Sequence, residues 1–236
     1  MKIKYIELES TDSTNEYIKK VDFDLSDIIV VTSKFQTTGK GSKGRSFYSP
    51  IGGLYFSIKI KSEIISNFDL ITLYCAVALC NALNDSFKIN AEIKWINDIY
   101  LENRKISGIL CESQNFESII IGIGVNILSD NNIPKDIENK IGFIENYSNE
   151  KFSNKAIIDK FLFNLLELYK LNKNFVVNEY KKLSYTLHKK MIVKSNNSIF
   201  EAKAVDIDDK GNLLVQKSNG EKVKLNSSSY STEIIL

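Results

Sequence analysis

The sequence predicts an α+β protein, a mixed and mostly antiparallel sheet packed with helices and followed by a small C-terminal β-barrel. Three observations carry that expectation. Alternating apolar runs recur through the first half of the chain, broken by one long helical pattern. Helical periodicity returns over residues 153–183. Beyond it, four short strand patterns follow one another, separated by the turn sequences DDKGN and SNGE. With 236 residues, 43% of them hydrophobic, the chain can bury one large core and a small second one. The texture change divides it into a domain over 1–183 and a β-barrel domain over 188–236.

KIKYIEL alternates as a first strand and leads into Ser13-Thr14-Asn15-Glu16, where Ser13 and Glu16 have capping-box spacing for a short helix. DIIVVTSK reads as a buried strand. After the loop at 36–47, GGLYFSIKI alternates again, with Leu54, Phe56 and Ile58 on one face. From Phe68 to Leu83 the positions Leu70, Leu73, Tyr74, Val77 and Cys80 or Asn81 predict an amphipathic helix against the sheet. EIKWINDIYL, KISGILCES and FESIIIGIGVNIL read as consecutive strands, the first two joined by a hairpin turn at Glu102, Asn103 and Arg104. A long helix from Ser153 to Asn172 and a shorter one from Val176 to Leu183 close the first domain. MIVKS, IFEAKAVDI, NLLVQ and EKVKL supply the strands of the second.

Composition excludes several functions. The 31 basic and 29 acidic side chains leave a formal charge of +2 with no long single-sign block, which argues against a dedicated nucleic-acid surface. No helix-turn-helix pattern precedes the first strand, so no DNA-binding module is expected. Cys75, Cys80 and Cys111 form neither a CxxC pair nor an even disulfide set and read as reduced thiols of a cytoplasmic protein. The apolar runs LYCAVALC and IIIGIGV fall short of the roughly 20 residues of a spanning helix, and MKIKYIELES lacks a signal-peptide pattern. Membrane association and export are therefore not expected.

Four segments can carry chemistry, and each also has an ordinary structural reading. QTTGKGSKGRSF, residues 36–47, is either a solvated basic connection or a loop whose glycines turn backbone amides inward as an anion nest, with Lys40, Lys43 and Arg45 adding charge. It lacks a GK(S/T) ending, so it is not a nucleotide P-loop of the standard kind. Lys94-Trp95-Ile96-Asn97-Asp98 is either a strand end and turn or a cluster for a phosphorylated ligand and its Mg²⁺. Lys105 is either an exposed strand lysine or a ligand contact beside Gly108, whose missing side chain leaves room. Gly122 and Gly124, before Asn126, lie on one strand face and would let a ligand approach the backbone. The single His188 lies outside all four segments, so neither a histidine-based triad nor a histidine metal site is expected.

STNEY, QTTGKGSKGRSF, KWINDIYLENRKISGILCE and IGIGVNI occur in an order and spacing that resembles the biotin protein ligase family, in the form without an N-terminal DNA-binding domain. The resemblance covers essentially the whole chain from Ser13. It implies a fold like that of class II aminoacyl-tRNA synthetases and biotin ligases. It also implies an ATP-dependent enzyme that activates biotin as biotinyl-5'-AMP with release of pyrophosphate, then transfers biotin to a lysine of a biotin carboxyl carrier domain. By resemblance, Lys105 and Arg45 are catalytic. Ser13, Thr14, Asn15, Gln36, Gly39, Lys40, Gly41, Ser42, Lys105 and Gly108 match biotin-binding positions. Lys40, Phe47, Lys94, Asn97, Lys105 and Asn126 match the nucleotide side, and Asp98 is a candidate Mg²⁺ contact.

The chain departs from the family pattern in places: Lys40 and Ser42 stand where the loop carries arginines, Ile96 replaces a proline, and SSSYSTEIIL lacks the usual arginine. These departures bear on adenylate retention and ATP affinity rather than on reaction type. The alternatives are a lipoate or octanoate ligase of the same fold and a non-enzymatic biotin sensor. Homodimerisation is left open.

Overall fold

The computed structural model describes residues 1–65, 68–115, 117–130, 132–195 and 198–235. The first unit is built on a seven-stranded sheet in the order β1-β2-β3-β7-β6-β5-β4. Its strands are β1 (Ile3–Leu8), β2 (Ile28–Ser33), β3 (Leu54–Lys61), β4 (Glu92–Lys94), β5 (Asp98–Leu101), β6 (Arg104–Gln114) and β7 (Ser118–Val125). Only β1 and β2 pair in parallel, because α1 (Thr14–Lys19) carries the chain back across the sheet; all other pairs are antiparallel. The sheet is mixed and mostly antiparallel, as the alternation predicts. Phe116, the expected start of β7, lies outside the described residues.

Both faces of the sheet are covered. On one side Phe56, Ile58, Ile121 and Ile123 pack with α2 (Ile71–Phe87), α3 (Asn154–Tyr169) and α4 (Lys173–Lys182) into the main core. On the other, Ile18 of α1 joins Ile29, Val31 and Ile120 in a smaller core, and the rest of that face is the floor of the candidate site.

Several expectations shift. α2 begins three residues later than expected and runs on to Phe87, where Lys88 in a left-handed conformation ends it. It is buried on nearly all sides, since it lies between the sheet and the outer helices. Cys80 faces inward and Asn81 outward. The capping box is not made: Ser13 is the N-cap in an extended conformation, but its side chain makes no cap bond. Glu16 instead pairs with Lys19 and Lys40. EIKWINDIYL is two strands, not one, because the chain reverses at 95–97 and pairs Lys94 with Asp98.

The predicted turn at Glu102 and Asn103 is present, both residues having positive φ as a two-residue hairpin turn requires.

The C-terminal strands β8 (Lys190–Lys194), β9 (Ile199–Ile207), β10 (Leu213–Gln216) and β11 (Lys222–Leu225) are joined by an unforeseen β12 (Ser231–Ile234). They form an antiparallel sheet in the order β11-β10-β9-β8-β12. No ladder joins β11 to β12 among the described residues, so the expected barrel is an open five-stranded sheet. It is fastened to the first unit by Trp95, whose indole N–H donates to Gly211 O at 2.9 Å and whose backbone N–H donates to Thr186 Oγ1 at 2.8 Å.

Candidate functional site

One transverse row of the large sheet organises the site. Tyr55, Gly124, Gly108, Asp98 and Lys94 stand opposite one another across β3, β7, β6, β5 and β4. The two central residues have no side chain, and the Phe47 ring lies in the space they leave. A Cβ at Gly124 would stand 2.3 Å from Phe47 Cε1, and one at Gly108 would stand 3.0 Å from Cε2. In the next row of the same face, Ser57 stands opposite Gly122, against which Asn15 lies; a Cβ there would be 2.0 Å from Asn15 Oδ1. The glycines on one face of β7 leave room as their spacing suggested, but the space is taken by the protein's own Asn15 and Phe47 rather than left open for a ligand to lie on the backbone.

A polar cradle closes one end. Gln36 Oε1 accepts from the Thr14 backbone N–H at 2.8 Å and from Thr14 Oγ1 at 3.1 Å, while Gln36 Nε2 donates to Ser49 Oγ at 2.9 Å. Ser57 Oγ lies 2.5 Å from Asn15 Oδ1, and Asn15 Nδ2 donates to Glu112 Oε2 at 2.8 Å. These bonds fix the orientation of each amide.

The loop between β2 and β3 forms one wall. The loop is a small hairpin rather than an open anion nest: the Gly41 N–H donates to Arg45 O and the Phe47 N–H to Gly39 O, both at 2.7 Å. At its tip Lys43 and Gly44, and neither Gly39 nor Gly41, take positive φ. Gly39 is needed for close approach, since a Cβ there would be 2.5 Å from Phe47 O. Arg45 folds back, donating from Nη2 to Ser42 Oγ at 2.8 Å. The Lys43 ammonium donates to Tyr230 O at 2.7 Å, tying the loop tip to the C-terminal sheet.

Charge gathers at the other end. Lys105 Nζ lies 2.7 Å from Asp98 Oδ1 and 5.6 Å from the Phe47 ring centroid. Burial lowers the Lys94 pKa, with Asp98 opposing the shift and Lys105 and Arg45 adding to it. Its ammonium lies 3.3 Å from Tyr100 OH.

Two cavities meet here. The first is lined by Ser13, Thr14, Asn15, Gln36, Lys40, Gly41, Ser42, Arg45, Phe47, Asn97, Asp98, Lys105 and Gly108, so most of the candidate residues converge. Lys94 and Asn126 line the second, alongside Tyr100, Lys140, Lys194 and Thr232; Gly39 lines neither. Arg45, Phe47, Asp98 and Lys105 belong to both. Asn126 is buried, donates to Lys105 O at 3.2 Å, and leaves Oδ1 without a partner among the described residues.

Sequence reading missed Ser57, Glu112, Lys140 and Lys194. Ser57 had a signal, a hydroxyl between the apolar neighbours Phe56 and Ile58 of its strand. The two lysines had none, because Lys140 is brought near only by the pairing of its segment with Lys105, whose N–H donates to Lys140 O at 2.8 Å, and Lys194 only by the docking of the C-terminal sheet. Among the described residues no group of three or more His, Cys, Asp or Glu could hold a metal ion, and no helix is long and apolar enough to cross a membrane.

Comparison with known proteins agrees with this geometry. Residues 7–126 match the biotin/lipoate A/B protein ligase family, and residues 190–229 match the biotin protein ligase C-terminal domain. The bifunctional ligase/repressor BirA of Bacillus subtilis is 31% identical over 205 residues, covering 82% of this chain and 63% of that protein. The biotin–[acetyl-CoA-carboxylase] ligase of Paracoccus denitrificans is 32% identical over 128 residues, 51% of this chain and 53% of its own. The chain therefore spans less than two thirds of the length of these curated relatives. The biotin protein ligase of Aquifex aeolicus in complex with biotin and ATP superposes with a TM-score of 0.83 over 98% of this chain and 99% of its own, at 24% identity.

Proposed function

The chain belongs to the biotin/lipoate A/B protein ligase family, and from that premise we propose that it is an ATP-dependent biotin protein ligase. The observation that carries the reading is the junction of the two cavities at Lys105, Arg45 and Asp98. The first cavity suits a largely apolar ligand with one hydrogen-bonding end and one carboxylate. Thr14, Asn15, Gln36 and Lys40 face the polar ring of biotin, with Ser13, Gly41, Ser42 and Gly108 shaping the walls. The carboxylate points to Lys105. The second cavity, with Lys94, Lys140, Lys194 and the unpartnered amide oxygen of Asn126, takes the nucleotide, with Phe47 at the boundary and Asn97 on the side of the first cavity.

A biotin carboxylate oxygen attacks the α-phosphorus of ATP, and the bond to the β-phosphate oxygen breaks, releasing pyrophosphate. Two anions must meet for this step. Lys105 and Arg45 reduce their repulsion and stabilise charge that grows in the transition state. The ε-amine of a lysine on a biotin carboxyl carrier domain then attacks the acyl carbon of the mixed anhydride, AMP leaves, and the amine loses a proton. That step needs orientation and exclusion of water, not a protein nucleophile. Mg²⁺ carried in on the ATP phosphates would meet two carboxylates of the second cavity, Asp98 and Glu233, among the cations Lys94, Lys105, Lys140 and Lys194, and would help neutralise the phosphate charge.

The division into a ligase unit over 1–183 and a β module over 188–236, and a cytoplasmic location, belong to the same proposal. Neither DNA binding nor a particular oligomeric state is part of it. The test is pyrophosphate release from ATP and Mg²⁺ on adding biotin, followed by labelling of one carrier-domain lysine. Lipoate has no hydrogen-bonding ring to use the polar cradle, and turnover with lipoate but not biotin would overturn the reading.

A further inference from the structure

Resting on that reading, we propose that Glu16 is a positioning residue for biotin, aiming Lys40 into the cavity through a charge chain that runs on to Asn15. Glu16 does not line the cavity. Its Oε1 lies 2.8 Å from both Lys40 Nζ and Lys19 Nζ. Lys19 also lies 2.9 Å from Glu112 Oε1, and the other oxygen of Glu112 accepts from Asn15 Nδ2 at 2.8 Å. The four charges Lys40–Glu16–Lys19–Glu112 therefore alternate in sign from the loop, through α1, to β6, and the chain ends on the neutral amide of Asn15 back on α1. Both of its ends, Lys40 and Asn15, line the first cavity.

This chain differs from the ordinary surface pairs of the molecule. The side chains of Glu16, Lys19 and Glu112 are 28%, 29% and 32% exposed and that of the loop end, Lys40, is 51%, against 65% and 83% for Lys34 and Glu9. Hydrogen bonds from Lys19 and Lys40 hold the Glu16 carboxyl down to about 2. An ammonium has three N–H donors, so Lys40 can keep Glu16 and still offer hydrogens to a ligand. Without the carboxylate, Lys19 and Lys40 repel each other across the position it held. The loop base would survive that loss, because the Thr37 and Thr38 backbone N–H groups donate to Thr11 O and Asp12 O at 3.0 Å. Glu16 thus sets where the Lys40 ammonium points, rather than whether the loop is attached.

The experiment compares wild type, Glu16→Gln, Lys40→Ala and the double variant for biotin Kd, for KM of biotin and of ATP, and for Tm. Glu16→Gln is expected to weaken biotin roughly three- to tenfold, as expected of coupled groups in one network, with the KM of ATP, the kcat at saturating biotin and Tm nearly unchanged. The double variant should bind no more weakly than Lys40→Ala. Wild-type biotin affinity in Glu16→Gln, additive losses in the double variant, or a loss that tracks a fall in Tm would each overturn the positioning role alone. A wild-type protein that binds no biotin would overturn the proposed function and this role with it.

Discussion

Lys105 reaches forward along its own strand to Asp98, 2.7 Å away, over the backbone of Gly108, the residue that pairs with Asp98 across the ladder. A Cβ at Gly108 would stand 3.3 Å from both Cε and Nζ of Lys105, so the glycine makes room for the reach. The ammonium already holds a carboxylate before any ligand arrives, with N–H donors left over for an incoming anion. Lys105→Ala removes the cation and leaves Asp98 facing that anion. We expect the fold to persist and pyrophosphate release to fall by roughly ten- to a hundredfold or more, the loss of a charge-assisted contact of about 1.5–3 kcal/mol. Rapid-quench measurement of pyrophosphate checks this; wild-type turnover would make Lys105 an ordinary strand lysine.

Lys94 trades stability for its place in the second cavity. Its folded pKa lies below the ordinary lysine value of 10.5, chiefly through burial. Between that lowered pKa and 10.5 the unfolded chain binds a proton that the folded chain has given up, so this lysine makes stability rise as pH climbs through the window. Below the window the charged form is held at a standing cost. Lys94→Met should remove this pH dependence and raise Tm by roughly 2–4 °C, the size of about 1 kcal/mol in a chain this long. It should also raise the KM for ATP. A lower Tm would show that the contact with Tyr100 outweighs desolvation.

The glycines of β7 give a sharper contrast. Neither Gly122 nor Gly124 has positive φ, so alanine suits the backbone at both, and any damage comes from the neighbour it strikes. Gly122→Ala displaces Asn15 and should abolish biotin binding, whereas Gly124→Ala displaces Phe47. Phe47→Ala should therefore relieve the Tm loss of Gly124→Ala but not that of Gly122→Ala. Equal relief of both by Phe47→Ala would break the assignment.

These contacts mark where sequence reading stops. The alternating strands and the long helices were legible because each buries a periodic face, and period 2 put Gly122 and Gly124 on one face, but not the filling of that space by Asn15 and Phe47 in place of a ligand. The break at 95–97 was only half legible: a strand end and turn stood as one reading of Lys94–Asp98, but Trp95 and Ile96 are good strand formers whose turn is fixed by bonds to Thr186, Gly211 and Tyr180 far along the chain. The fate of Glu16 was not legible, since its spacing from Ser13 suits a helix cap as well as an ion pair. The cap lost because two ammonium groups converge on that carboxylate in the folded protein.

Ser42 sets how firmly the loop closes. Arg45 donates from Nη2 to Ser42 Oγ at 2.8 Å and from Nε to Ser42 O at 3.2 Å, so in this conformation the guanidinium is spent on its own loop. The resemblance places an arginine at position 42, and a planar guanidinium there would offer a bidentate contact to a phosphate that serine cannot copy. Ser42→Arg also removes the Oγ acceptor and sets two guanidinium groups side by side, which favours the state in which an anion lies between them. One charge-assisted hydrogen bond is worth roughly 1.5–3 kcal/mol, so if most of it is lost before release, wild type should free adenylate about ten to a hundred times faster than Ser42→Arg. Wild type should accordingly label bystander lysines, and the variant should label fewer. The measurement is a chase of preformed labelled adenylate with excess unlabelled biotin and ATP. Equal release rates would show that the Arg45–Ser42 clasp already holds the loop as well as a second arginine could.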